Sequence, residues 1–84
     1  MTIESFTGII NTNGEFQEVE TLTGVSFTIG NSYTMMIQNL AYIKVANAIF
    51  PITNEKFQYK AGEEDLYIRT DENNCVLTIL ENEG

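Results

Sequence analysis

The residues of this chain with chemical reach are its carboxylates and its tyrosines. Twelve Asp and Glu stand against four Lys and Arg in 84 residues, giving a formal charge of -8, and there is no His. Without imidazole no Ser-His-Asp or Cys-His pair can be assembled, and the commonest metal-ligating side chain is missing. Cys75 is the sole cysteine, so neither an intrachain disulfide nor a thiolate zinc site can form. It opens the apolar run Cys75-Val76-Leu77 and reads as a buried, inert thiol that packs as a small hydrophobe.

The acidic groups Glu63-Glu64-Asp65 and Asp71-Glu72 flank residues 66–70 at opposite ends. A strand rises about 3.3 Å per residue, which sets the two groups roughly 15–20 Å apart, too far to share one ion. Neither group has the ligand spacing of an EF-hand loop. Paired-carboxylate catalysis would need a cleft that so small a strand protein rarely holds. Solvated turns are the preferred reading over weak calcium sites, so no catalytic, cofactor-binding or metal residue is assigned and the chain reads as non-enzymatic.

The glycines are isolated turn markers and form no phosphate-binding cluster. Lys44, Lys56, Lys60 and Arg69 are few and scattered, and a surface at -8 repels phosphates, so no direct nucleic-acid binding is expected. The aromatic side chains remain. Tyr33, Tyr42, Tyr59 and Tyr67 each sit in a strand-like run, and Tyr42 and Tyr67 fall opposite the more aliphatic face. Tyr brings large contact area at low entropy cost. Tyr42, Tyr67, Arg69, Tyr33 and Tyr59 are therefore the interface candidates, and the competing reading is that the rings merely cover cross-strand neighbours on a wet face. Met35-Met36 reads as core filler before adaptable contact surface.

Short strands must position these groups. Val25, Phe27 and Ile29 alternate with Ser26 and Thr28 as a half-buried strand does, between turn residues Gly24 and Gly30-Asn31. In residues 32–40, Tyr33, Met35 and Ile37 share a face while Met36 and Leu40 take the other, the pattern of a strand covered on both sides. Asn13-Gly14 between two apolar-containing runs predicts a hairpin over residues 6–19, with Glu18 and Glu20 pointing away from Val19. Residues 66–70 and 75–80, separated by Asp71-Glu72-Asn73-Asn74, predict a second hairpin. Residues 40–50 fit strand-turn-strand better than a short helix, and Pro51 belongs at an edge or turn because it cannot donate to a ladder. Further alternation at Phe57 and Tyr59 ends in a turn at Ala61-Gly62, and the acidic tail from Glu81 to Gly84 is expected to fray.

This spacing of turns predicts an all-β fold, a small antiparallel sandwich or barrel of about seven or eight short strands in one domain over residues 1–84. A chain of this length buries only about 60–65% of its unfolded surface and gains from a partner subunit. No apolar run reaches the ~18–20 residues of a membrane span, and the start lacks the basic and apolar regions of a signal peptide. No membrane partner is expected, and the lack of disulfides fits a reducing cytosol.

Residues 16–81 resemble the small all-β accessory proteins that decorate the shell, tail or fibre of tailed bacteriophage particles. The likeness lies in the order of pieces: Gly30-Asn31-Ser32-Tyr33-Thr34-Met35-Met36-Ile37, then Tyr42-Ile43-Lys44, Phe50-Pro51-Ile52, Phe57-Gln58-Tyr59-Lys60, Leu66-Tyr67-Ile68-Arg69-Thr70 and Val76-Leu77-Thr78-Ile79-Leu80. It implies architecture and assembly as a homo-oligomer or with another virion protein, and it carries over no site residue. The reading is thus a non-enzymatic structural or interaction module. The alternative is an acidic inhibitor that mimics nucleic acid and blocks a host defence nuclease, which would need carboxylates in rows at phosphate spacing.

Overall fold

The computed structural model describes residues 5–62 and 64–82. Along the chain they form β1 (Ser5–Ile9), β2 (Gln17–Glu18), the one-turn helix α1 (Val19–Thr23), β3 (Ser32–Val45), β4 (Ala48–Lys60), β5 (Leu66–Arg69) and β6 (Val76–Glu81). The six strands make one antiparallel sheet curled into a half-barrel, so the fold is all-β. Fewer strands appear than the turn spacing predicts because β3 and β4 run for 14 and 13 residues.

β3 is the spine. One edge pairs with β4 over the full length, from Ser32 opposite Lys60 to Val45 opposite Ala48. The other edge takes β6 along Tyr33 to Gln38 and β5 along Tyr42 to Val45, so β5 and β6 lie end to end. β1 and β2 lie end to end in turn on the far side of β6 and β5. Ser5 faces Leu80 and Glu18 faces Tyr67, which is one register carried across the gap.

Neither predicted hairpin therefore forms. Asn13 and Gly14 do make a tight turn, with φ 55° and 74° and the Glu15 N–H donating to the Thr12 carbonyl at 3.1 Å. That turn is a loop thrown out of a strand that then continues, and Asp71 to Asn74 do the same in the neighbouring strand. The two loops stand side by side and satisfy each other. Thr12 Oγ1 donates to the Thr70 carbonyl (2.9 Å) and accepts the Thr70 N–H (3.0 Å), while Thr70 Oγ1 donates to the Leu40 carbonyl (2.9 Å). The line of breaks crosses into β3 and β4, where Asn39 (φ 72°) and Asn54 (φ 50°) are left-handed and the register shifts between Ile37 and Leu40. The Asn39 N–H donates to Asn54 Oδ1 and Asn39 Nδ2 donates to the Asn74 carbonyl, both at 2.9 Å. Asn tolerates this conformation better than other non-glycine residues.

The inner face buries Tyr33, Met35, Ile37, Ala41, Ile43, Leu66, Ile68, Leu77 and Ile79. Residues 24–31 close the concave side and are no strand, contrary to their alternation. The N–H groups of this segment find side-chain acceptors instead of a ladder: Glu20 Oε2 accepts that of Phe27 (2.9 Å), Thr23 Oγ1 that of Val25 (3.2 Å) and the Tyr33 hydroxyl that of Thr28 (2.7 Å). Val25 is buried, and the Phe27 ring packs edge-on against Tyr33 and Tyr59, at centroid distances of 4.8 and 5.3 Å. Val19 is buried at the start of α1 and lies in no strand. β3 is covered on its inner face alone, since Met36 is 48% exposed. Residues 40–50 do form strand-turn-strand, and Pro51 lies in β4. Glu81 and Asn82 are held, the Asn82 N–H donating to the Ser32 carbonyl (2.9 Å), while Glu83 and Gly84 of the expected frayed tail lie outside the described residues.

Candidate functional site

The outward face of β2, β5 and β3 gathers the polar and aromatic residues that the buried alternation leaves over. Tyr42 stands opposite Arg69, Lys44 opposite Tyr67, and Glu18 opposite Tyr67 from the other side. The cations and rings interleave. The Arg69 guanidinium carbon lies 4.8 Å from the Tyr42 centroid and 5.5 Å from that of Phe16. Lys44 Nζ lies 5.7 Å from the Phe16 centroid and 6.0 Å from that of Tyr67. All five side chains are half-buried. Ring faces attract cations by their quadrupole, at about 0.5–1 kcal/mol for an exposed pair. Among the described residues no carboxylate lies within 4.0 Å of either cation, and Arg69 Nε is enclosed without a hydrogen-bond partner.

Two borders complete the surface. On the β4 side Ile49 faces Lys44 and Pro51 faces Tyr42, with Ile49 55% exposed, while Phe50 stands opposite Ile43 on the other side of the sheet. On the β2 side, carboxylate oxygens of Glu18, Glu20 and Asp65 lie within 4.8 Å of one another. Glu18 Oε1 accepts from Thr21 Oγ1 (3.0 Å) and Glu20 Oε2 from the Phe27 N–H, so both also serve the local fold. Sequence alternation sets Glu18 and Glu20 opposite Val19 and says nothing of Asp65, which is why the sequence does not announce this grouping. Such acidic groups gather commonly on surfaces without an ion, and no metal is assigned. Glu63 lies outside the described residues.

Three of the five interface candidates, Tyr42, Tyr67 and Arg69, are thus brought together. The other two are not on this surface. Tyr33 is 0% exposed in the core, its inward register fixed between Met35 and the β6 partner Glu81. Tyr59 is half-buried on the inner side, donates its hydroxyl to the Glu64 carbonyl (3.1 Å), and has its pKa raised, chiefly by desolvation. Phe16 and Lys44 join the surface without being among the candidates. Lys44 shares the Tyr42 face by simple alternation, so a sequence signal existed. Phe16 had none, because its neighbour Arg69 follows from the interrupted register.

Two hollows lie along the line of breaks, one lined by Asn11, Asn13, Gly14, Thr70 and Asp71, the other by Met36, Gln38, Asn54 and Lys56. Cys75 is fully buried, and burial pushes its thiol pKa upward against a smaller opposing effect of the Thr70 side chain. Among the described residues no helix is long and apolar enough to cross a membrane. No family model, curated protein or solved structure matches this chain.

Proposed function

We propose that this protein is a non-enzymatic module that works by protein–protein association through the outward face of β2, β5 and β3. Its setting is the one the sequence resemblance implies, an accessory position on a tailed-phage particle. The observation that carries the reading is the row in which Arg69 and Lys44 are sandwiched among Phe16, Tyr42 and Tyr67, bordered by exposed Ile49. Aromatic residues and Arg are the types enriched at interface centres, where desolvation strengthens their contacts. A rigid strand face loses little entropy when it docks. The acidic-mimic alternative has less behind it: Glu15, Asp71 and Glu72 sit on the break loops, Glu81 accepts from Asn31 Nδ2, and Glu55 stands apart on β4.

Light scattering after size exclusion, paired with affinity capture, tests the proposal. The wild-type chain should be found associated, with itself or another protein, and a Tyr42→Ala/Tyr67→Ala variant that keeps its circular dichroism should lose that association. A chain that stays monomeric and captures nothing, or captures equally well with both rings removed, overturns it.

A further inference from the structure

Resting on that assembly reading, we infer that the partner on this face is a second copy of the chain, related by a two-fold axis passing near Tyr67. Lys44 and Arg69 of each copy then meet Glu18, Glu20 and Asp65 of the other. A two-fold interface must be self-complementary, since the same patch lies on both sides and every contact occurs twice. This face has that property. Lys44, Tyr67 and Glu18 occupy consecutive strands in one row. Neighbouring strands are about 4.8 Å apart, so cation and carboxylate stand about 10 Å apart with the Tyr67 ring between them. Rotation about an axis through that ring exchanges the two ends of the row.

Within one chain both ends are left unneutralised. The cations have no carboxylate within 4.0 Å among the described residues, while three carboxylates converge to 4.8 Å with only amide and hydroxyl donors beside them. Like charges held that closely repel, and a cation from outside relieves the repulsion. Stacked between rings and partly desolvated, Arg69 and Lys44 would interact with a carboxylate more strongly than freely hydrated cations do. Ile49, at the cation end, extends the contact with apolar area that water otherwise covers.

The symmetry supplies its own test. In a Lys44→Glu homodimer each introduced carboxylate faces the acidic group of the other copy. In an Asp65→Lys homodimer each introduced ammonium faces Lys44. In the mixed dimer one cross-pair joins the introduced carboxylate to the introduced ammonium, and the other is the native Lys44 with Asp65, so both attract. Sedimentation equilibrium should give a wild-type dimer, a dissociation constant raised about tenfold or more in each single variant, and recovery to within about threefold of wild type in the equimolar mixture. Circular dichroism of each variant separates this result from misfolding. A mixture no tighter than its components, or a Lys44→Glu variant that dimerises like wild type, overturns the two-fold arrangement. A monomeric wild type overturns it too. If that monomer still captures another protein and loses it in the Tyr42→Ala/Tyr67→Ala variant, the assembly reading stands without the dimer, and if it captures nothing both fall.

Discussion

The hydroxyl of Tyr33 ties together two parts of the chain that no strand pairing joins. It accepts the Thr28 N–H at 2.7 Å and donates to Glu81 Oε2 at 3.3 Å, while its ring is sealed in the core. Tyr33→Phe keeps the ring and strips Thr28 of its partner, so urea unfolding should show a loss of about 1 kcal/mol with an unchanged denaturant slope. Cys75 acts through protonation. Burial raises its folded-state pKa above the ordinary 9.0, so the folded chain keeps the thiol while the unfolded chain ionises first. The stability this provides is complete below about pH 9 and is lost as pH rises through the folded-state value. Tyr59, raised from 10.0, adds a loss of the same sign at higher pH. Urea midpoints measured from pH 8 to 10 should therefore fall more steeply for wild type than for Cys75→Ala, whose lower starting stability reflects the methyl-sized void. Equal slopes would mean the thiol titrates no differently when folded.

At the scale of elements, the backbone carries two opposite stresses that substitutions can read. Gly24 ends α1 with φ 77°, its N–H donating to the Glu20 carbonyl at 2.8 Å, and open space surrounds the position a Cβ would take. Gly24→Ala should thus cost about 1 kcal/mol through conformation alone. Ala46 holds φ 54° in the two-residue turn between Val45 and Ala48, a place where hairpins prefer glycine. Ala46→Gly should raise stability by about 0.5–1 kcal/mol in the same thermal or urea assay, the reverse sign for the reverse exchange. These elements also mark what a reader of the sequence can and cannot see. The alternation in residues 32–45 and 66–69 gave the buried faces, and Tyr42, Lys44, Tyr67 and Arg69 follow from it on the other side. Asn13-Gly14 and Asp71 to Asn74 gave turns but not what the turns connect. A local turn signal says the chain departs from a strand and is silent on whether it returns antiparallel or resumes the same line. Here burial of Leu77 and Ile79 against β3, at long sequence separation, decided for resumption, and Phe16 reached Arg69 as a consequence. Val25, Phe27 and Ile29 alternate as a strand would, yet Val25 and Phe27 pack onto the concave face with their N–H groups held by Thr23 and Glu20 side chains, while Ile29 is left exposed.

For the molecule as a whole the charge sets the conditions under which everything above is measured. With a formal -8, described cations lacking close carboxylates, and extents of 34 × 26 × 21 Å, no acid is far from the others. At 10 mM salt the screening length is about 30 Å, so the self-repulsion acts across the entire fold, and at 150 mM it shrinks to about 8 Å. Raising NaCl from 10 to 300 mM should therefore raise the thermal midpoint of the dilute, monomeric chain, followed by circular dichroism, whereas a fall would mean that attractive pairs dominate. Asp65→Lys replaces one negative charge by one positive, moving the net charge from -8 to -6, and places a cation beside Glu18 and Glu20. It should raise the midpoint at low salt and flatten its salt dependence. The same substitution is expected to weaken self-association, because the introduced ammonium meets Lys44 of the other copy. One exchange then moves fold stability up and assembly down. A loss of dimer measured for that variant consequently belongs to the interface, since the chain that loses it is the more stable one.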